Sequence, residues 1–203
     1  MNEDHTFGAV QLVGFIILIP IALFYRIRSQ ATREKLDRRQ EGVFIMVTLR
    51  TLGITCMTGT IAWMVNPSIM AWSSVTLPYW LRWIGVGAGA VGGGLLLWAF
   101  HSLGKNLTDT VVTRREHTLV TRGPYRWVRH PFYDSMALLV LAISLMTANW
   151  FRSLTGSLVG LLIVVPTRTE EEKLLARFGD SYRAYRVQTG RSVPGIGVLR
   201  RGA

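Results

Sequence analysis

Five apolar stretches, at residues 7–25, 43–65, 80–100, 132–148 and 151–165, leave this chain few ways to fold. About 20 apolar residues span the hydrocarbon core of a bilayer as a helix. Inside that core each backbone N–H and C=O must find a partner within its own element, and an α-helix provides one. The stretches therefore predict about five transmembrane helices in an all-α, polytopic membrane protein. The fifth is short and calls for little tilt or a locally thinned bilayer. The first stretch is preceded by Glu3 and Asp4 rather than by basic residues, and no small-residue cleavage site follows it. It reads as a retained helix rather than a signal peptide.

Charge placement gives an orientation. Of the 23 Lys and Arg, 20 fall in three clusters at residues 26–39, 105–129 and 168–201, and the rest are Arg50, Arg82 and Arg152. The connections at residues 1–6 and 66–79 carry no Lys or Arg. By the positive-inside rule the three clusters are cytoplasmic, with the amino terminus outside and the carboxyl terminus inside. The net charge of +11 is then topological, with attraction to anionic headgroups as a secondary effect. It does not call for nucleic acid. Short loops favour a prokaryotic cytoplasmic membrane, or the endoplasmic reticulum in a eukaryote.

Other features narrow the reading. Cys56 is the single cysteine, which excludes an intrachain disulfide and a cysteine metal cluster. The four histidines (His5, His101, His117, His130) lack close ligand spacing, so no metal is expected. Gly87, Gly89 and Gly92 match a dinucleotide fingerprint in spacing, yet no strand precedes them and they lie mid-membrane. Gly85, Gly89 and Gly93 have the small-xxx-small spacing of close helix packing. Arg50 reads as a side chain snorkelling toward the cytoplasm. The connection at residues 101–129 is too long and polar for a simple turn, and loops of that length are usually functional. After Pro166, Thr167 and Glu170 have capping-box spacing and open an amphipathic helix to about Val187.

The polar residues cluster around two strings, HTLVTRGPYRWVRHPFY at 117–133 and EEEKLLARFGDSYRAY at 170–185. Ionisable groups at a membrane surface are costly and mark sites. Together with LGKN at 103–106 and RSVP at 191–194, these strings resemble the isoprenylcysteine carboxyl methyltransferase family and its phospholipid-methylating relatives. The resemblance runs from about Leu103 to Pro194; residues 1–100 agree only in being apolar helices. It implies a single domain over residues 1–203, with three membrane helices in 1–100 and a cofactor-binding and catalytic region in 101–194. That region comprises a cytoplasmic loop and the C-terminal amphipathic helix.

The resemblance further implies S-adenosyl-L-methionine as cofactor. His117, Thr118, Leu119 and Val120 would contact it, Tyr125, His130 and Tyr133 would line the same pocket, and Glu170 would meet its polar end. A carboxylate suits an ammonium group, and aromatic faces suit a sulfonium. The acceptor would be an amphipathic molecule entering from the bilayer, with a carboxylate, thiol or amine. Members that take a carboxylate place an arginine four residues before the glutamate, and Pro166 stands there in this chain. Arg168 is two residues later, about 200° around a helix. A bidentate arginine is the natural partner of a carboxylate, and Arg126, Arg129 or Arg50 could stand in for the displaced one; the candidate catalytic set is Arg168, Arg129 and Glu171. Asp134 is expected to pair with Arg129 or Arg126. Two other readings remain: a membrane reductase using NADPH, with Arg114, Arg115 and Arg122 as phosphate contacts, and a non-catalytic lipid-binding protein.

Overall fold

The computed structural model describes residues 3–30, 43–104, 118–165 and 167–192. Each apolar stretch forms a helix: α1 (Glu3–Gln30), α2 (Val43–Val65), α3 (Tyr79–Leu103), α4 (Pro131–Thr147) and α5 (Trp150–Val164). A sixth helix, α6 (Thr167–Gln188), follows at once. The described residues contain no named strand, only two isolated bridges. Glu3–Arg28, Tyr79–Leu103 and the run that begins at Trp150 are long and apolar enough to cross a membrane, and Pro131–Thr147 is a shorter apolar helix. Leu12, Ile16, Ile54, Met57, Ile61 and Leu161 point outward. So extensive an apolar exterior suits lipid rather than water.

Close approach of α3 to α4 organises the bundle. A Cβ placed on Gly85 would lie 2.8 Å from Leu145 Cβ and 3.0 Å from the Ala142 carbonyl. On Gly92 it would lie 2.9 Å from Leu138 Cβ and 3.2 Å from the Ser135 carbonyl. The expected face of 85, 89 and 93 needs correction at its last member. Gly85, Gly89 and Gly92 touch α4, whereas Gly93 meets Leu18 of α1 at 3.3 Å. Helical spacing explains the change, because positions i, i+4 and i+7 share a face. Ser135 is fully buried in this contact and turns its hydroxyl back to the Phe132 carbonyl at 2.6 Å.

The two ends of the bundle are fastened differently. At one end Arg82 is buried, donating to the Met146 carbonyl through Nε (2.9 Å) and Nη2 (2.7 Å). It also pairs with Asp4 at 2.7 Å and lies 4.2 Å over the Phe7 ring, so α1, α3 and α4 meet on one guanidinium. Asn149 caps α5 and holds the preceding connection through the Met70 carbonyl and Ser73 Oγ. At the other end Leu96 and Phe100 of α3 pack with Phe132 and Met136 of α4. There the Tyr25 hydroxyl meets His101 Nδ1 at 3.2 Å. This second end carries the loop, the start of α4 and α6.

Gly85→Ala and Gly92→Ala should each destabilise the bundle by about 1–3 kcal/mol through overpacking. Gly87→Ala and Gly94→Ala, where a Cβ meets nothing within 4 Å, should be neutral or gain up to about 1 kcal/mol from helix propensity. Thermal midpoints of the four variants in detergent check this, and four equal shifts would defeat the packing account.

Candidate functional site

The loop is set in place by a glycine. Gly123 has φ +62°, and a Cβ there would collide with Ser102 Oγ at the end of α3, so a side chain is excluded on both conformational and steric grounds. A 3₁₀ turn over Gly123–Arg126 follows, with Pro124 and Tyr125 buried. Trp127 then packs edge-on against Trp98 of α3 at 5.4 Å, with the Arg126 guanidinium 4.0 Å over its ring. Pro131 begins α4 directly after His130. A proline fits the first helical position because no intrahelical partner exists there for an N–H.

α6 reaches this loop twice, because it bends. Gly179 has φ +52° inside the helix and divides it into a segment bearing Glu170 and Glu171 and one bearing Tyr182 and Tyr185. The second segment seals onto the loop. Arg129 N–H donates to the Gly190 carbonyl at 2.9 Å and His130 N–H to the Arg191 carbonyl at 3.2 Å. The Tyr185 hydroxyl donates to the Tyr125 carbonyl at 2.7 Å.

Arg129 ties both segments together. Its Nε donates to Glu171 Oε1 at 3.1 Å, and its Nη1 to the carbonyls of Thr189 and, at 3.3 Å, Arg186. His130 Nε2 also lies 3.1 Å from Glu171 Oε1, and Arg191 Nε is 3.9 Å away. Burial alone would raise the Glu171 carboxyl, but hydrogen bonds from His130 and Arg129 outweigh it and hold the group below its usual value of 4.5. The neighbouring carboxylate is used differently. Glu170 Oε2 accepts a hydrogen bond from Tyr133 at 3.1 Å, and the Tyr133 ring lies 5.4 Å from that of His130. Burial, then the charge of Glu170, pushes the Tyr125 phenol well above its ordinary range. Tyr125 therefore belongs to the same polar group as Glu170 and remains protonated.

The structure thus brings together Tyr125, Arg129, His130, Tyr133, Glu170 and Glu171. Thr118 is exposed and Leu119 and Val120 half-buried at the resumption of the loop; His117 lies outside the described residues, as does Pro166. Arg168 is exposed and stands apart from the Arg129–Glu171 pair. Two local expectations need correction. Thr167 donates to the Val164 carbonyl, and Glu170 takes the Tyr133 hydroxyl rather than closing a capping box. Asp134 pairs with neither arginine among the described residues: Arg129 is taken by Glu171, Arg126 lies over Trp127, and Ser192 hydrogen-bonds the Asp134 carboxylate. Sequence reasoning missed the bend and the contributions of Tyr182, Tyr185, Thr189 and Gly190. The glycine within Phe178-Gly179-Asp180 was the available signal for the bend.

Fold and site together define an all-α membrane protein whose polar site forms where a loop meets a bent helix at one end of the bundle. Residues 86–177 match the family model of the isoprenylcysteine carboxyl methyltransferase (ICMT) family, in agreement with the motifs. The chain is 34% identical over 94 residues to the protein-S-isoprenylcysteine O-methyltransferase of Schizosaccharomyces pombe, covering 45% of this chain and 40% of that protein. It is 29% identical over 146 residues to the enzyme of the same name from Dictyostelium discoideum, covering 67% and 56%. The methanethiol S-methyltransferase of Mycobacterium tuberculosis is 36% identical over 70 residues, covering 34% and 28%. The matches thus span between about a quarter and just over half of these relatives' own lengths. A solved structure of a eukaryotic intramembrane Ras methyltransferase, ICMT, superposes with a TM-score of 0.52 over 95% of this chain and 75% of that one, at 22% identity. The fold is shared.

Because the folded Glu171 value lies below the unfolded one, its contribution to stability is complete above pH 4.5 and is lost as the pH falls through the folded value. Thermal midpoints should therefore drop on acidification below 4.5. E171Q should start lower at neutral pH and lose less over that interval; a parallel descent would show that Glu171 is not responsible. Arg129→Ala breaks the buried ion pair and leaves Glu171 with only His130 and the more distant Arg191, and should cost about 3–5 kcal/mol.

Proposed function

We propose that the chain transfers a methyl group from S-adenosylmethionine to an amphipathic acceptor resident in the membrane. The observation that carries this reading is the unequal use of two adjacent carboxylates. Glu171 is tied to Arg129 and His130, whereas Glu170 accepts, among the described residues, a single hydrogen bond from Tyr133. Glu170 keeps acceptor capacity for an ammonium group, and a charge-assisted bond of that kind is about twice as strong as a neutral one. When bound, the cofactor supplies an electrophilic methyl carried by a sulfonium.

The chain's own residues would hold it in place. Glu170 takes the ammonium, and the Tyr125, Tyr133 and His130 rings supply aromatic surface beside the sulfonium, where cation–π attraction operates. Thr118, Leu119 and Val120 offer backbone and apolar contacts along the loop, with His117 preceding them. Methyl transfer is an in-line displacement, so the main contribution is alignment in a water-poor site. Within this reading Arg129 and Glu171 are positioning residues, since their hydrogen bonds are spent on one another and on α6. Arg168, exposed on the first turn of α6, is then the arginine left for an acidic acceptor.

The basic clusters put the site on the cytoplasmic face, with the amino terminus outside. The names of the similar proteins cover both O-methylation and S-methylation. An acceptor with a carboxylate or a thiol on an apolar body agrees with both and with lateral entry from lipid.

Calorimetric titration of the detergent-purified protein should show binding of S-adenosylhomocysteine and none of NADPH. Glu170→Gln should weaken that binding about 10- to 100-fold, the loss expected for a hydrogen bond to a charged group. His130→Ala should weaken it through the release of Glu171. Binding of NADPH alone would replace this reading with a reductase. Undiminished affinity in both variants would sink the site assignment.

A further inference from the structure

Three side chains among the described residues bury polar atoms without a hydrogen-bond partner, Gln11, Arg152 and Tyr182, and of these only Tyr182 lies on α6. Its side chain is 1% exposed, and its hydroxyl has no hydrogen-bond partner among the described residues. A buried donor left unmet costs about 1–3 kcal/mol, and such groups are rare in folded proteins. Its neighbour Tyr185, with a ring centroid 6.0 Å away, is by contrast satisfied by the Tyr125 carbonyl at 2.7 Å. The two tyrosines sit on the same segment of α6, yet only one is used to close the fold.

The surroundings of Tyr182 indicate what its hydroxyl is for. Gly179 bends α6 so that this segment turns back on the loop, and the charges that act on Tyr182 are those of Glu171, Arg129, Arg186 and Glu170. Burial, then Glu171, pushes the phenol up to about 12, so it holds its proton throughout the physiological range as a donor. A buried proton donor on the α6 segment that also carries Arg186 suits an anionic acceptor.

We propose that Tyr182 is a cofactor-binding residue whose hydroxyl donates to the carboxylate of the amino-acid end of S-adenosylmethionine. The inference rests on the methyltransferase reading above. In that reading Glu170 takes the ammonium of the same amino-acid end. The carboxylate then lies one carbon away and needs a donor that is not another acid. Tyr182 supplies a neutral donor, and Arg186 supplies positive charge alongside it.

The test is calorimetric titration of detergent-purified wild type, Tyr182→Phe and Tyr185→Phe. The ligands are S-adenosylhomocysteine and 5′-methylthioadenosine, which lacks the amino-acid end. Tyr182→Phe should weaken S-adenosylhomocysteine about tenfold, equivalent to about 1.4 kcal/mol, and leave 5′-methylthioadenosine unchanged. The thermal midpoint of the ligand-free variant should be equal to or above wild type, because the removed hydroxyl satisfied nothing. Tyr185→Phe should lower the midpoint instead, through loss of the bond to Tyr125. An unchanged S-adenosylhomocysteine affinity in Tyr182→Phe, or an equal loss for both ligands, overturns the assignment. Failure of wild type to bind S-adenosylhomocysteine would instead overturn the methyltransferase reading itself, so the two failures are distinct.

Discussion

The guanidinium of Arg129 is the interaction on which the site end of the molecule depends. One face of its fork binds Glu171 on the first segment of α6, and the other binds the carbonyls of Arg186 and Thr189 on and beyond the second. Because Gly179 interrupts the helix between them, neither segment fixes the other through helical hydrogen bonding alone. An arginine can span such a bend because its five donors diverge in a rigid plane. A lysine offers a single point of charge and could not hold a carboxylate and two carbonyls in fixed relative directions. The pair is only about 12% exposed on either side, so its desolvation must be repaid by complete hydrogen bonding. His130 and Arg191 complete that bonding around Glu171.

What Arg129 holds would be useless unless α4 stood in a fixed register, because His130 and Tyr133 arrive with the start of that helix. The register is set deep in the apolar part of the bundle by Gly85 and Gly92, where α4 backbone lies too near α3 to admit a side chain. In lipid such contacts gain little from the hydrophobic effect and depend on close packing. The far end adds a polar lock, in which Arg82 grips the Met146 carbonyl of α4 and Asp4 of α1. A displacement of α4 along its axis would have to break both. The site's geometry is therefore fixed partly by residues two or more helical turns away.

Much of this was legible in the sequence because membranes simplify folding. A span needs apolar length, and length is visible: each of the five stretches became a helix, α2, α4 and α5 within a residue of their expected limits and α1 and α3 running up to five residues beyond theirs. The residues of the site were legible through their motif strings, which placed Tyr125, His130, Tyr133 and Glu170 in one region. Their division of labour was not. Adjacent glutamates look alike in a sequence, and only the bend at Gly179 and the return of residues 186–191 reveal that one is enclosed by cations and the other is not. The same return explains why Tyr182 and Tyr185 went unassigned. Which of two tyrosines three positions apart finds a carbonyl depends on the path of the loop, set by Gly123 against Ser102.

The contrast between Glu170 and Glu171 also bears on the proposed methyl transfer, in which the site would take a charged ligand near lipid. A cationic group entering a water-poor pocket needs a carboxylate whose charge is not already neutralised. A lone buried carboxylate, however, is unstable as a charge and takes up a proton. Here one glutamate stands in a paired cluster and its neighbour beside a tyrosine hydroxyl. The paired residue fixes the helix and is held ionised by its donors. The helix in turn carries the second carboxylate, which the Tyr133 hydroxyl orients. The two side chains lie about 100° apart on the helix, so they take different partners, Glu171 meeting Arg129 and His130 and Glu170 meeting Tyr133. The tyrosine that orients Glu170 arrives on α4, so the packing of α3 against α4 reaches that carboxylate through the Tyr133 hydrogen bond.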